Sequence, residues 1–420
     1  MLQAYEQQYE VISLSGGGYR AALYNAGVLR AFHAAGKLET SDYHLVNAVS
    51  GGAIPAMIWR EYMGAARESR DDLWPELALF DLVLSSPSRG GGFNWHFPWL
   101  LYSLLVAQFT GYVCIHYLGV NLCLAVGAVL CVFLILTLRS GLDARRRWHR
   151  HLEGWWARHR LKPSPLGLNP FYVVEVLDYL SGSSWMYDNG SLVPATRDNI
   201  KTRKPFENIP MSVPTAIVTA TAFPPLFAGT SIPDERSGKE RYLFKDAGVI
   251  DNVAMLPLLR IIERIPPNGK RLGAIKRWFI SDAGAPMAVP SSAALTAAGN
   301  TRRVKSVSFI SHIFRLAGDL SQPRFVKAIT DVLQDYAGIR TTIIGIGVSM
   351  PEGEAPWVAA LEGEPEPADV GTDLAGMPRH LALRIFGEGA QASSAALVTN
   401  GLMQPAERLA LKQLVDGFNL

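Results

Sequence analysis

The sequence predicts an α/β fold with a mainly parallel central sheet. Residues 9–15 and 43–49 read as short β-strands, and each passes through glycines directly into a helical pattern. That strand, turn and helix order is how parallel sheets are built. A further observation, an uninterrupted apolar run over 98–138, predicts a hydrophobic helical hairpin inserted into that fold.

The first strand leads into ISLSGGGYRAALYNAGVLRAF, residues 12–32. Leu23, Ala26, Leu29, Ala31 and Phe32 recur at helical spacing, which predicts a buried helix over Ala21–Ala35. Glycine is conformationally costly, so three in a row suggest that the backbone itself must approach something closely. The turn Ser15–Gly18 leaves backbone N–H groups free at a helix start, where the macrodipole favours negative charge. Two devices fit: a phosphate cradle, or an oxyanion hole for a tetrahedral acyl intermediate. A P-loop would need Gly-Lys-Ser/Thr at the helix start, whereas Tyr19 and Arg20 follow Gly18, and the Rossmann glycine spacing is absent.

The second strand enters LVNAVSGGAIPAMI, residues 45–58, which approximates the Gly-x-Ser-x-Gly nucleophile elbow with Ala48 in place of the first glycine. Strand and helix backbones pack closely at such a turn, hence the small residues, and Ser50 becomes a candidate nucleophile. A serine nucleophile needs a base. Asp246, in YLFKDAGVIDN, closes a strand whose carboxyl end lies where open α/β sheets keep their sites; Asp282, in WFISDAGAP, is the competitor. Asp251 reads as a helix N-cap, and His33 and His44 as ordinary packing or surface residues.

Between Arg89 and Arg139 there is no Lys, Arg, Asp or Glu. A spanning helix needs about 20 residues, so 98–138 is long enough for two passes. His116–Asn121 would be the turn, and Arg139, Arg145, Arg146, Arg147 and Arg150 a cytoplasmic flank. A buried helical pair and a re-entrant insertion are the alternatives. Ser50 precedes the run and Asp246 follows it. An odd number of crossings would separate them, so a membrane reading requires two passes or a re-entrant loop.

Further strands are expected at Thr215–Thr219, Arg241–Lys245, Arg277–Ser281 and Thr341–Val348, and loops or lids at Ser181–Pro210 and Pro351–Pro378. The chain has 420 residues, 49% of them hydrophobic, and a net charge of only +3. Bulk charge therefore argues against nucleic acid as a partner. Cys114, Cys123 and Cys131 all lie in the apolar run, with neither disulfide nor metal spacing. The N-terminus lacks the pattern of a signal peptide, which places the catalytic part on the cytoplasmic side.

Taken together, SGGGYRAALYNAGVLRAF, AVSGGAI and DAGVIDN resemble the patatin-like phospholipase family, and TATAFPPLFAG, Thr219–Gly229, is similar to that family's segment preceding its aspartate. The resemblance implies a three-layer α/β sandwich and a Ser-Asp dyad without histidine. It makes Ser50 the nucleophile, Asp246 rather than Asp282 the base, and Gly16, Gly17 and Gly18 the oxyanion hole. Ala247 and Gly248 depart mildly from the family's aspartate motif. The resemblance also favours a substrate-binding role for Arg20, a cation whose place in a first helical turn otherwise costs a few tenths to about 1 kcal/mol. The specific motifs cover residues 8–60 and about 211–260, within a single catalytic domain spanning 1–420; the insertion at 98–138 departs from the family pattern. The expected protein is a membrane-associated, phospholipase A-type acyl hydrolase needing no cofactor or metal. Its expected substrate is a membrane phospholipid, and the bilayer its expected partner. A non-catalytic lipid- or anion-binding scaffold and an acyltransferase are the alternatives.

Overall fold

The computed structural model describes residues 9–38, 44–68, 75–86, 145–159, 171–188, 190–195, 209–222, 229–233, 240–255, 275–284, 330, 333, 339–347, 353–370, 374 and 376–418. The proposed hairpin at 98–138, its three cysteines and Arg139 lie outside them. Among the described residues no helix is long and apolar enough to cross a membrane.

In chain order the elements are β1 (Tyr9–Leu14), α1 (Gly18–Ala34), β2 (His44–Val49), α2 (Ala53–Glu68), α3 (Pro75–Leu84) and α4, helical over 145–158. Then come β3 (Phe171–Asp178), β4 (Ser183–Asp188), β5 (Ser191–Pro194), β6 (Ile209–Pro210), α5 (Val213–Ala220), β7 (Thr230–Pro233) and β8 (Glu240–Asp246). The chain closes with β9 (Ile275–Asp282), β10 (Arg340–Gly345), α6 (Arg379–Thr399) and α7 (Pro405–Asp416).

All ten strands among the described residues join one sheet, whose centre runs β10-β9-β1-β2-β3 with every pairing parallel. Beyond β3 the sheet continues antiparallel through β4, β5 and β6. The end of β3 also pairs antiparallel with β8, so that Val176 lies opposite Asp246. Parallel strands are covered on both faces and read as apolar runs. In β1 the period of two sends Ile12 and Leu14 into the large core beneath α1, α2 and α6, and Val11 into a second cluster with Trp278, Ile280 and Met255.

Helix α1 is held against α6 backbone to backbone. A Cβ on Gly27 would run into the Phe386 carbonyl, and one on Gly389 into the Tyr24 carbonyl. That contact fixes the axis of the helix whose first residue belongs to the glycine turn.

Two sequence expectations are corrected. Thr215–Thr219, expected as a strand, is helical within α5: Ser212 caps it by accepting the Thr215 N–H at 3.3 Å, and Pro214 stands in its first turn. The cap and the proline override the β-branched run. Ser181–Pro210, expected as a loop, carries β4, β5 and β6, whose Trp185, Met186, Tyr187 and Leu192 are buried. Ser181 and Gly182 form the turn between β3 and β4, and Gly190 stands between β4 and β5. The Pro351–Pro378 loop is irregular over most of its described length, as expected, yet it is strapped down by Arg384, which donates to the Pro365 carbonyl at 3.0 Å.

Candidate active site

Ser50 stands where β2 hands over to α2, with a backbone φ of +50°, one of two positive values among the described non-glycine residues. A left-handed serine is strained by on the order of 1–3 kcal/mol and persists only where its surroundings hold it. The two glycines that follow supply the hold. A Cβ on Gly51 would overlap the Gly18 carbonyl oxygen, and one on Gly52 would lie 2.6 Å from the Leu14 carbonyl oxygen. The elbow and the triple-glycine turn are thus packed backbone on backbone, leaving the half-buried Ser50 side chain at the carboxyl edge of the sheet.

Strand β8 brings Asp246 to the same place. Ser50 Oγ donates to Asp246 Oδ2 at 2.5 Å, and the Gly248 N–H donates to Oδ1 at 2.8 Å. The carboxyl is fully buried, which pushes its pKa up to about 7 even though both hydrogen bonds oppose the shift. The two departures from the family motif divide by available space. Ala247 fits into a small apolar cluster with Val49, Leu177 and Ala254, whereas a Cβ on Gly248 would lie 3.0 Å from Asp246 Oδ1.

The glycine turn lies directly against this pair, since a Cβ added to Gly16 would sit 2.9 Å from Ser50 Cβ. Gly17 and Gly18 have φ of +132° and +61°, backbone that glycine alone adopts readily, and they stand at the start of α1, where the helix dipole favours negative charge. Gly16 corrects its expectation: its N–H donates to the Asn252 carbonyl at 2.8 Å, so it contributes closeness rather than a donor. Among the described residues no hydrogen bond engages the Gly17 or Gly18 N–H.

Arg20, expected to bind substrate, stands beside the turn, its Nη2 3.6 Å from where a Cβ on Gly17 would lie. It is 1% exposed and donates through Nη1 to the Ala368 carbonyl at 3.0 Å and the Val370 carbonyl at 2.8 Å. The guanidinium ties the strap to the first turn of α1, and those carbonyls offset the helix dipole that opposes a cation there.

Asp282 binds the Gly284 N–H at 2.8 Å and makes no bond to Ser50. Asp251 caps the turn after it, accepting from the Val253 and Met255 amides at 3.2 and 2.6 Å. Among the described residues no histidine bonds Ser50 or Asp246.

No family model matches the chain, and no curated protein does. Among solved structures it is similar to VipD from Legionella pneumophila, at 12% identity and a TM-score of 0.30 over 94% of this chain and 67% of that one. It is also similar to human GIVD cytosolic phospholipase A2, at 13% identity and a TM-score of 0.42 over 98% of this chain and 65% of that one. For the same enzyme in complex with methyl gamma-linolenyl fluorophosphonate, 13% identity accompanies a TM-score of 0.43 and coverage of 98% and 62%. This chain therefore spans between three fifths and two thirds of the solved chains it resembles.

Sequence reasoning missed the polar lattice under the turn. Ser13 Oγ donates to the Ala254 carbonyl at 3.0 Å and accepts from Trp278 Nε1 at 2.9 Å, while Asn47 Nδ2 reaches the same carbonyl at 2.7 Å. Asn25 Nδ2 holds the Ser15 carbonyl at 2.9 Å, and Ser15 Oγ accepts the Ala283 N–H at 2.7 Å. All four polar side chains are fully buried. The available signal was a lone polar residue inside each apolar strand, Ser13 in VISL and Asn47 in LVNAV.

Proposed function

We propose that this chain is a lipid acyl hydrolase of phospholipase A type, with Ser50 as nucleophile, Asp246 as base, and the Gly17 and Gly18 amides as the oxyanion site. The observation that carries the reading is the 2.5 Å bond between Ser50 Oγ and Asp246 Oδ2, formed at a strained elbow against the glycine turn. Asp246 takes the hydroxyl proton as Ser50 attacks an ester carbonyl, and the Gly17–Gly18 N–H groups stabilise the tetrahedral oxyanion. The proton then passes to the departing alcohol, leaving an acyl-serine. Water deprotonated by Asp246 attacks that ester and releases the fatty acid, restoring both side chains. A base with a pKa of about 7 suits both proton transfers near neutrality.

The lipid part of the reading rests on the sequence motifs and on the apolar run at 98–138, which we propose anchors the catalytic domain on the cytoplasmic face of a membrane. Directly after it, α4 turns Trp148, Leu152 and Trp155 inward and leaves Arg146, Arg147 and Arg150 exposed. Each such arginine near an anionic surface contributes about 1 kcal/mol of attraction. Fatty-acid release from phospholipid vesicles tests the proposal: it is expected from the wild type and lost in Ser50→Ala. Equal release from both would remove Ser50 from the chemistry.

A further inference from the structure

Helix α4 is remote in sequence from the glycine turn, the elbow and Asp246, yet its buried Trp148 contacts a residue next to each half of the site. The indole Nε1–H donates to Thr221 Oγ1 at 3.2 Å, and the ring meets Tyr19 edge to face with centroids 5.9 Å apart. Tyr19 is the residue after Gly18. Thr221 precedes Ala222, whose carbonyl accepts the Asp246 N–H at 3.3 Å. Thr221 Oγ1 is also bonded to the Ile217 carbonyl at 2.9 Å, anchoring it to the end of α5. From the indole, one short path of contacts runs to the oxyanion turn and another to the backbone of the base.

We infer that Trp148 is a positioning residue for the hydrolysis: it holds the Asp246 strand and the Gly17–Gly18 turn in register about Ser50. The inference rests on the hydrolase reading for its kinetic consequence, while its structural half stands by itself. The indole is 6% exposed and lies among apolar side chains, where its N–H would be left unpaired if Thr221 moved away. Orientation of this kind governs the rate of the chemical step more than the affinity for substrate, because the reacting atoms must meet within a few tenths of an ångström.

Three variants in the full-length protein test it, with a soluble ester as substrate. Trp148→Phe keeps a ring against Tyr19 and removes the donor; Thr221→Val removes the acceptor; Thr221→Ser keeps it. Trp148→Phe and Thr221→Val are each expected to lower kcat by about tenfold with KM within about twofold, the double variant falling no further than either. Thr221→Ser is expected to retain the wild-type kcat. Amide hydrogen exchange at Asp246 should quicken in Trp148→Phe and Thr221→Val. An unchanged kcat, losses that multiply in the double variant, or a Thr221→Ser variant as slow as Thr221→Val would overturn the inference. Should wild-type turnover prove independent of Ser50, the hydrolase reading fails alone. Exchange at Asp246 then decides: faster exchange in Trp148→Phe upholds the positioning, and unchanged exchange overturns it.

Discussion

Asp246 puts a charge where burial opposes one, and two measurable consequences follow. Its carboxyl must be ionised to accept the Ser50 proton, so kcat/KM is expected to rise with pH through a midpoint of about 7; a pH-rate profile already flat at pH 5 would contradict that environment. The stability effect has the opposite sign. With a folded pKa of about 7 against an ordinary aspartate value of 3.8, the native state binds more protons than the unfolded chain between those values. The contribution of this group therefore weakens as pH rises across that window. Asp246→Asn keeps the shape and removes the charge: thermal melts at pH 8 should show it more stable than the wild type, while activity falls by at least about a hundredfold. At the neighbouring elbow, Gly51→Ala drives a methyl into the Gly18 carbonyl. Activity should be lost together with on the order of 1–3 kcal/mol of stability, read by urea denaturation.

Of the elements, those with an unmistakable period were legible in the sequence. Strands β1, β2, β8, β9 and β10 and helix α1 fall within a few residues of expectation, because apolar runs bounded by glycine carry their own boundaries. The same pattern located Ser50, Asp246 and the glycine turn. Helix α5 was not legible, since Val, Ile and Thr favour strands until Ser212 and Pro214 are read as a helix start. The contacts of Gly16 and Arg20 were hidden for another reason. What they bind comes from Asn252 and from Ala368 and Val370, and no local spacing announces partners that far along the chain. The apolar run at 98–138 yields a prediction of its own. Replacing it by a short polar linker should abolish co-sedimentation with anionic vesicles while leaving hydrolysis of a soluble ester within about threefold, since neither Ser50 nor Asp246 belongs to it. Undiminished vesicle binding would move the anchor elsewhere.

Across the whole molecule, the parallel centre of the sheet and the antiparallel return of β8 perform one task between them. Strands β1 and β2 deliver the glycine turn and the elbow to a common edge, and β8 arrives from the opposite direction with its last residue beside them. The two groups of the proposed dyad thus come from segments about 200 residues apart in sequence, beside backbone contacts too close for any residue larger than glycine. The most direct measurement is covalent labelling of the full-length protein by a fluorophosphonate, with the modified residue located by mass spectrometry. Wild type should be labelled at Ser50, Asp246→Asn labelled at least about a hundredfold more slowly, and Asp282→Asn labelled at the wild-type rate. Labelling of Ser50 that ignores Asp246, or none at Ser50 in the folded wild type, would contradict a Ser50–Asp246 dyad.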